Sequence, residues 1–346
     1  MQRPSLKQMI GQLFIIGFTG KTVSKSHPIF TDIDERSLGG VIIFDRHLAT
    51  KAATNNITGA AQLKQLTATL QEFSSTKLLI AVDQEGGRVN RFREEFGFPV
   101  SPSAEQLGAA TGTMQSRASA TQTAYMLKNC GVNLNLAPVV DLNSNNKNPI
   151  IGKVKRSFSD KPDKVFEHAS IWVTEHRKAG ILSCLKHFPG HGSSKDDSHL
   201  GFVDITKSWQ TTELEPYKKL ITKGLADAIM VGHLYNKDLD PDYPATLSVP
   251  TINKLLKEDM QFGGVVISDD LQMRAITDKY ALEDACIMAL KAGVDLIIIG
   301  NNLSYDPTIF SRIHKAIEKA VNKGSLSEET IRSAWKRVQT FKSLLQ

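Results

Sequence analysis

The sequence predicts a single-domain (β/α)8 barrel that takes in residues 1–346. Three observations lead there. Short, unbroken apolar runs alternate with helical stretches about eight times. The runs lack the in–out alternation of a half-exposed strand, as parallel strands covered on both faces must. Charged and polar residues close one run after another, at the end where a barrel builds its active site. An open doubly wound sheet is the alternative architecture. No low-complexity linker divides the chain.

Residues 5–12 form a short helix and Leu13 to Phe18 the first strand. Gly20-Lys21-Thr22 imitates the end of a phosphate loop, but the first glycine of that motif would stand at Ile15, so the motif is rejected. Gly40 to Phe44 is the second strand, followed by helix 57–73. Leu78 to Val82 is the third, and Asp83 closes it. Helix 115–129 leads to the fourth strand, 132–139, with Asp141 after it. An asparagine-rich loop follows, and then helix 162–178 and strand 181–186. Helix 212–223 leads to strand 228–231, closed by Gly232-His233. Helix 250–257 precedes strand 265–268, closed by Asp269-Asp270. Helix 279–291 precedes strand 295–299, and helices 307–321 and 327–344 finish the chain.

Composition narrows the function classes. Hydrophobic residues at 41% and charged residues at 23% suit a globular soluble protein. The net charge of +6 is spread along the chain, so no nucleic-acid partner is expected, though part of that charge could serve an anionic substrate. The three cysteines, Cys130, Cys184 and Cys286, are dispersed and odd in number, which suits reduced thiols in the cytoplasm. The segment MQRPSLKQMIGQLFIIGFTG does not read as a signal peptide, because its apolar run is short and broken by glycine. No stretch approaches the roughly 18 apolar residues of a membrane span. A monomer is expected.

The chemistry concentrates in Lys186 to Gly201, KHFPGHGSSKDDSHLG. Its glycines and proline forbid a continuing helix, so it is a loop launched from a strand end. Asp197 and His199 are two residues apart and point the same way in extended backbone. A carboxylate beside a histidine orients it and favours its protonated form, making a proton donor near neutral pH. Asp269 follows Val-Val-Ile-Ser and should project from the barrel mouth; Asp270 is the better helix cap. Two rival readings remain. His187, His191, Asp196, Asp197 and His199 include metal-ligand types, but not at a helical spacing. Lys186 at a strand end could form a Schiff base if its pKa were lowered.

KHFPGHG followed by Asp-Ser-His, with VDQEGGRVNRF and GVVISDDLQM, closely resembles the family 3 glycoside hydrolases, and within them the bacterial β-N-acetylglucosaminidases. The similarity runs from GVIIF to the eighth strand. The resemblance implies a barrel domain and a retaining hydrolysis without metal or cofactor. Asp269 corresponds to the nucleophile, His199 to the acid/base and Asp197 to its partner. Asp83, Arg91, Arg156, Lys186 and His187 match the residues that hold sugar hydroxyls; His191 receives no ligand role. The implied substrate is an N-acetylglucosamine-containing muropeptide or chitobiose. Within the same family, a β-glucosidase or an N-acetylglucosamine phosphorylase is the alternative. One departure stands out: Lys-Val-Lys separates Gly152 from Arg156, where a tighter Gly-x-Arg is common.

Overall fold

The computed structural model describes residues 4–198 and 200–345, so His199 lies outside the described residues. Eight parallel strands form the barrel: β1 (Phe14–Gly17), β2 (Gly40–Ile42), β3 (Leu79–Val82), β4 (Leu134–Asn135), β5 (Leu182–Phe188), β6 (Ala228–Val231), β7 (Val265–Ser268) and β8 (Ile297–Ile299). They pair in sequence order, β8 also pairs with β1, and a parallel bridge between Ile267 and Leu296 closes the ring. Every residue of β1, β2, β3, β6, β7 and β8 is buried. The continuous apolar runs have that cause: one face fills the barrel and the other meets the helices.

Three elements differ from the sequence reading. The fourth strand is two residues long because Pro138 has no N–H to donate, and pairing resumes only at the bridge between Val139 and Lys186. The fifth strand runs on to Phe188, which pairs with Val231 after a register shift, so Lys186 and His187 belong to the strand and the loop starts at Pro189. Residues Pro250–Asp259 are wound wide, with the Met260 N–H reaching the Leu255 carbonyl. Three short helices also escape sequence reading: the single turn Arg274–Thr277 and two with clear caps. Pro28–Asp34 starts on a His27 cap, and Ala104–Ala109 starts on a reciprocal Ser103–Gln106 capping box. None is long enough to display a helical period.

The opening helix Leu6–Gly11 packs against Ile309–Asn322 and Glu328–Ser343, drawing the two ends of the chain together. Outside the barrel, Val203–Asp204 pairs with Leu234–Tyr235 in a small ribbon. Val203, Ile205 and Leu234 form its own apolar cluster, and Trp209 packs on it while donating to the Pro189 carbonyl at 3.0 Å. Cys130, Cys184 and Cys286 are free and buried, and burial pushes each thiol's pKa up. Among the described residues no helix is long and apolar enough to cross a membrane.

Candidate active site

The carboxyl ends of β3 and β7 open on one pocket at the barrel mouth, lined by Asp83, Arg91, Asp269 and Asp270 among others. Asp269 stands there because its own N–H is tied to the Val231 carbonyl at 3.1 Å, fixing the backbone as it leaves β7. Its Oδ1 accepts the Asp270 N–H at 2.8 Å. Asp270 is structural. Its Oδ1 accepts from Gln272 N at 3.0 Å and from Gly300 N at 2.9 Å, which caps the next turn and fastens it to β8. His233 is spent in the same way, donating through Nε2 to the Asp270 carbonyl at 2.9 Å.

Arg91 sits in the turn that follows β3. The Gln84 side chain holds that turn by accepting the Arg91 and Phe92 N–H groups at 3.0 and 3.1 Å. Gly86 has φ +97°, and a Cβ there would lie 2.3 Å from the Pro102 carbonyl, so only glycine fits. Arg91 then lies over the Phe44 ring, 5.9 Å from its centroid, and 3.7 Å from Asp45.

Behind the pocket lies a buried chain of charges. Lys186 projects from β5, 2% exposed, and its Nζ is 2.7 Å from both Asp83 Oδ1 and Glu85 Oε1. Glu85 receives Arg156 in a bidentate fork, Nε and Nη2 each at 2.8 Å. Arg156 Nη2 reaches His187 Nε2 at 3.3 Å. His187 Nδ1 lies 2.7 Å from Asp141 Oδ2, so this network assigns the ring proton to Nδ1 and lets Nε2 accept. Asp141 also accepts the N–H groups of His187 and His191.

Burial alone would raise the pKa of Glu85, but the charges of Arg156 and Lys186 outweigh it and hold the carboxyl well below its usual range. Burial alone would lower Lys186, but Asp83 and Glu85 outweigh it and raise the amine above its ordinary value. That removes the Schiff-base reading, which needs a lowered pKa. Asp141 is likewise held low: burial is opposed by His187 and His191.

The base of the loop after β5 is clamped from three sides. Asp141 takes the His191 N–H at 2.8 Å, and Asn148 donates to the His191 carbonyl at 2.7 Å. Glu213 takes the Gly192 N–H at 3.0 Å. His191 itself contacts Ser194 at 2.7 Å and is pushed down to about 4, by burial first and then by His187, so it braces the loop as a neutral ring. Asp197 lies half-buried beyond this clamp, and the Ser198 carbonyl accepts the Ala275 N–H at 3.3 Å. Among the described residues no group of three or more His, Cys, Asp or Glu is placed to hold a metal.

Glu213 is 1% exposed, and burial followed by the charge of Asp141 pushes its carboxyl up to about 7. A raised acid contributes most stability below its unfolded pKa, and loses it as pH rises through the folded value. Glu213→Gln should therefore stabilise the fold by about 3 kcal/mol at pH 8 and by little at pH 5. Denaturant unfolding at both pH values checks this; an equal effect at both would contradict it.

The structure brings Asp83, Arg91, Arg156, Lys186, His187 and Asp269 to one rim despite the three-residue spacer before Arg156, where Lys155 turns through φ +63°. Sequence reasoning missed Glu85 and Asp141 as parts of it. Glu85 carried a signal, being two residues past Asp83. Asp141 follows a strand as the others do. Glu213 gave none, since it lies in a remote turn and meets the loop only through folding.

A barrel whose mouth holds carboxylates beside buried cations offers donors and acceptors to a hydroxyl-rich substrate. The comparisons place it more narrowly. The model of the glycosyl hydrolase family 3 N-terminal domain matches residues 5–341. A β-hexosaminidase of Tolumonas auensis is 34% identical over 89% of this chain and 92% of its own length. One from Photobacterium profundum is 36% identical over 78% and 77%. Among solved structures, a family 3 β-N-acetylglucosaminidase from Paenibacillus sp. superposes with TM-score 0.89 at 32% identity; it covers 99% of this chain, which spans 63% of that protein. A β-N-acetylhexosaminidase from Beutenbergia cavernae gives 0.87 at 27% identity, covering 99% of both chains. The chain belongs to glycosyl hydrolase family 3 and is a glycoside hydrolase.

Proposed function

We propose that the protein releases terminal β-linked N-acetylglucosamine with retention of configuration, through a glycosyl-enzyme on Asp269. The observation that carries this reading is the place of Asp269 in the lining of the mouth pocket, together with Asp83 and Arg91. Its Oδ attacks the anomeric carbon as the bond to the leaving oxygen breaks. His199, oriented by Asp197, gives that oxygen its proton. Water then attacks the anomeric carbon, His199 takes the water's proton, and the ester to Asp269 breaks. Asp83, Arg91, Arg156, Lys186 and His187 hold the sugar hydroxyls, Arg91 placed by its turn and the other four by the buried ion chain. An ordinary histidine pKa near ~6.5 lets one group serve as acid and then as base. The names of the relatives support the N-acetylhexosaminide substrate. Peptidoglycan fragments met in the cytoplasm by a monomer are the physiological setting we propose.

The test is His199→Ala on paired substrates. Hydrolysis of a sugar-linked substrate should fall about 10²–10⁴-fold, and that of a nitrophenyl glycoside far less, because a good leaving group needs no proton. Equal losses on both would remove His199 from the acid role.

A further inference from the structure

The apolar part of the mouth pocket has a floor and a lip. Ile42, Leu136, Met230 and Ile298 make the floor, each no more than 2% exposed. Leu48 and Leu303 make the lip, from the segments that follow β2 and β8, and they are 53% and 41% exposed. A leucine exposed by itself is ordinary on a protein surface, but two that line one pocket form a patch.

The lip is held in place. Asn302 is buried and joins its two segments. The Asn302 Oδ1 accepts the Leu48 N–H at 3.0 Å, and the Asn302 carbonyl accepts the Ala49 N–H at 2.8 Å. Next to Leu48, the backbones of His47 and Ala52 exchange hydrogen bonds at 3.2 and 3.0 Å, and the His47 ring meets Tyr305 edge-on with centroids 5.5 Å apart. Next to Leu303, the Asn301 side chain accepts the Asp306 N–H at 2.9 Å and donates to the Asp306 carbonyl at 3.1 Å. The backbone that carries both leucines is therefore ordered before anything covers them, which lowers the cost of binding there.

Exposure orders the pocket by depth. Lys186 and Glu85, which lie behind the polar wall, are buried, and Asp269 is half-buried. Leu48 and Leu303 are the two exposed members of the lining. A terminal sugar held against the polar wall fits inside. Whatever it is attached to has to extend through the opening, where the lip stands. We propose that Leu48 and Leu303 are a subsite for the leaving group and select one that presents a hydrocarbon surface; this rests on the reading of Asp269 as nucleophile toward a terminal sugar. The leucines take no part in bond making or breaking. Their attraction is the removal of apolar area from water.

Methyl and hexyl β-N-acetylglucosaminides test it. Their leaving alcohols make nearly the same demand on the general acid, so a difference in kcat/KM reports the alkyl chain. The unaltered protein should favour the hexyl glycoside by about tenfold, the gain from covering two half-open leucines less the ordering of the chain. In the double variant L48S/L303S the preference should fall below about twofold, through a loss on the hexyl glycoside, with the denaturant midpoint checking that the fold is kept. That pattern supports the lip. A loss of the same size on the methyl glycoside would make the leucines structural and overturn it. A preference that survives in the variant, or an unaltered protein that cleaves both glycosides alike, would overturn it too while leaving the hydrolase reading intact. An unaltered, folded protein that cleaves neither would overturn the reading beneath it as well.

Discussion

Asp269→Ala should lower the turnover of N-acetylglucosaminides by at least about 10⁴-fold, as removal of an activated nucleophile does elsewhere. The fold should survive. The Asp269 backbone keeps its bond to Val231, and Asp270 keeps its two N–H donors and its place against β8. Loss of rate without loss of stability separates a reacting group from a structural one. The space left by the carboxylate also admits a small anion. Azide should restore part of the rate by attacking the anomeric carbon directly, and its product should have the opposite anomeric configuration. A variant with rate within about tenfold of the unaltered protein would exclude Asp269 as the nucleophile.

Glu85→Ala should be the most damaging change to stability, at about 3–5 kcal/mol. Glu85 is the junction of the buried chain, accepting from Nε and Nη2 of Arg156 and making one contact with Lys186. Removing it leaves two buried cations facing Asp83 and a more distant Asp141, with guanidinium donors unpaired in a dry site. Against a typical total of about 5–15 kcal/mol, that is a large share. Substrate affinity should fall too, because Lys186 and Arg156 lose the partner that aims them. Denaturant unfolding of the variant checks the first part and its KM the second. A cost below about 1 kcal/mol would mean that the network relaxes or hydrates freely.

Much of this was legible from residues alone. The strands announced themselves because both of their faces are buried, so their runs are apolar without interruption. Two rim positions, Asp83 and Asp269, announced themselves because each directly follows the last residue of an apolar strand. The capping by Asp270 was also readable, since a carboxylate two residues ahead of a turn N–H is a cap. What could not be read depends on contacts across the chain. Glu85 meets Arg156 across 71 residues and Asp141 meets His187 across 46, and nothing local in either sequence window encodes that meeting. Glu213 lies under the loop only because a turn 21 residues beyond Gly192 folds back beneath it. Pro138 could have shortened the fourth strand on paper, since a residue without an N–H interrupts a ladder wherever it falls.

Incubation with a 5-fluoro N-acetylglucosaminyl slow substrate, followed by digestion and mass mapping, interrogates the chemistry at the reacting atom. A single sugar mass should appear on the peptide GVVISDDLQM, localised to Asp269, and the released product of an ordinary substrate should keep its β configuration. Label on any other residue, or release of the α anomer, would contradict a glycosyl-enzyme on Asp269.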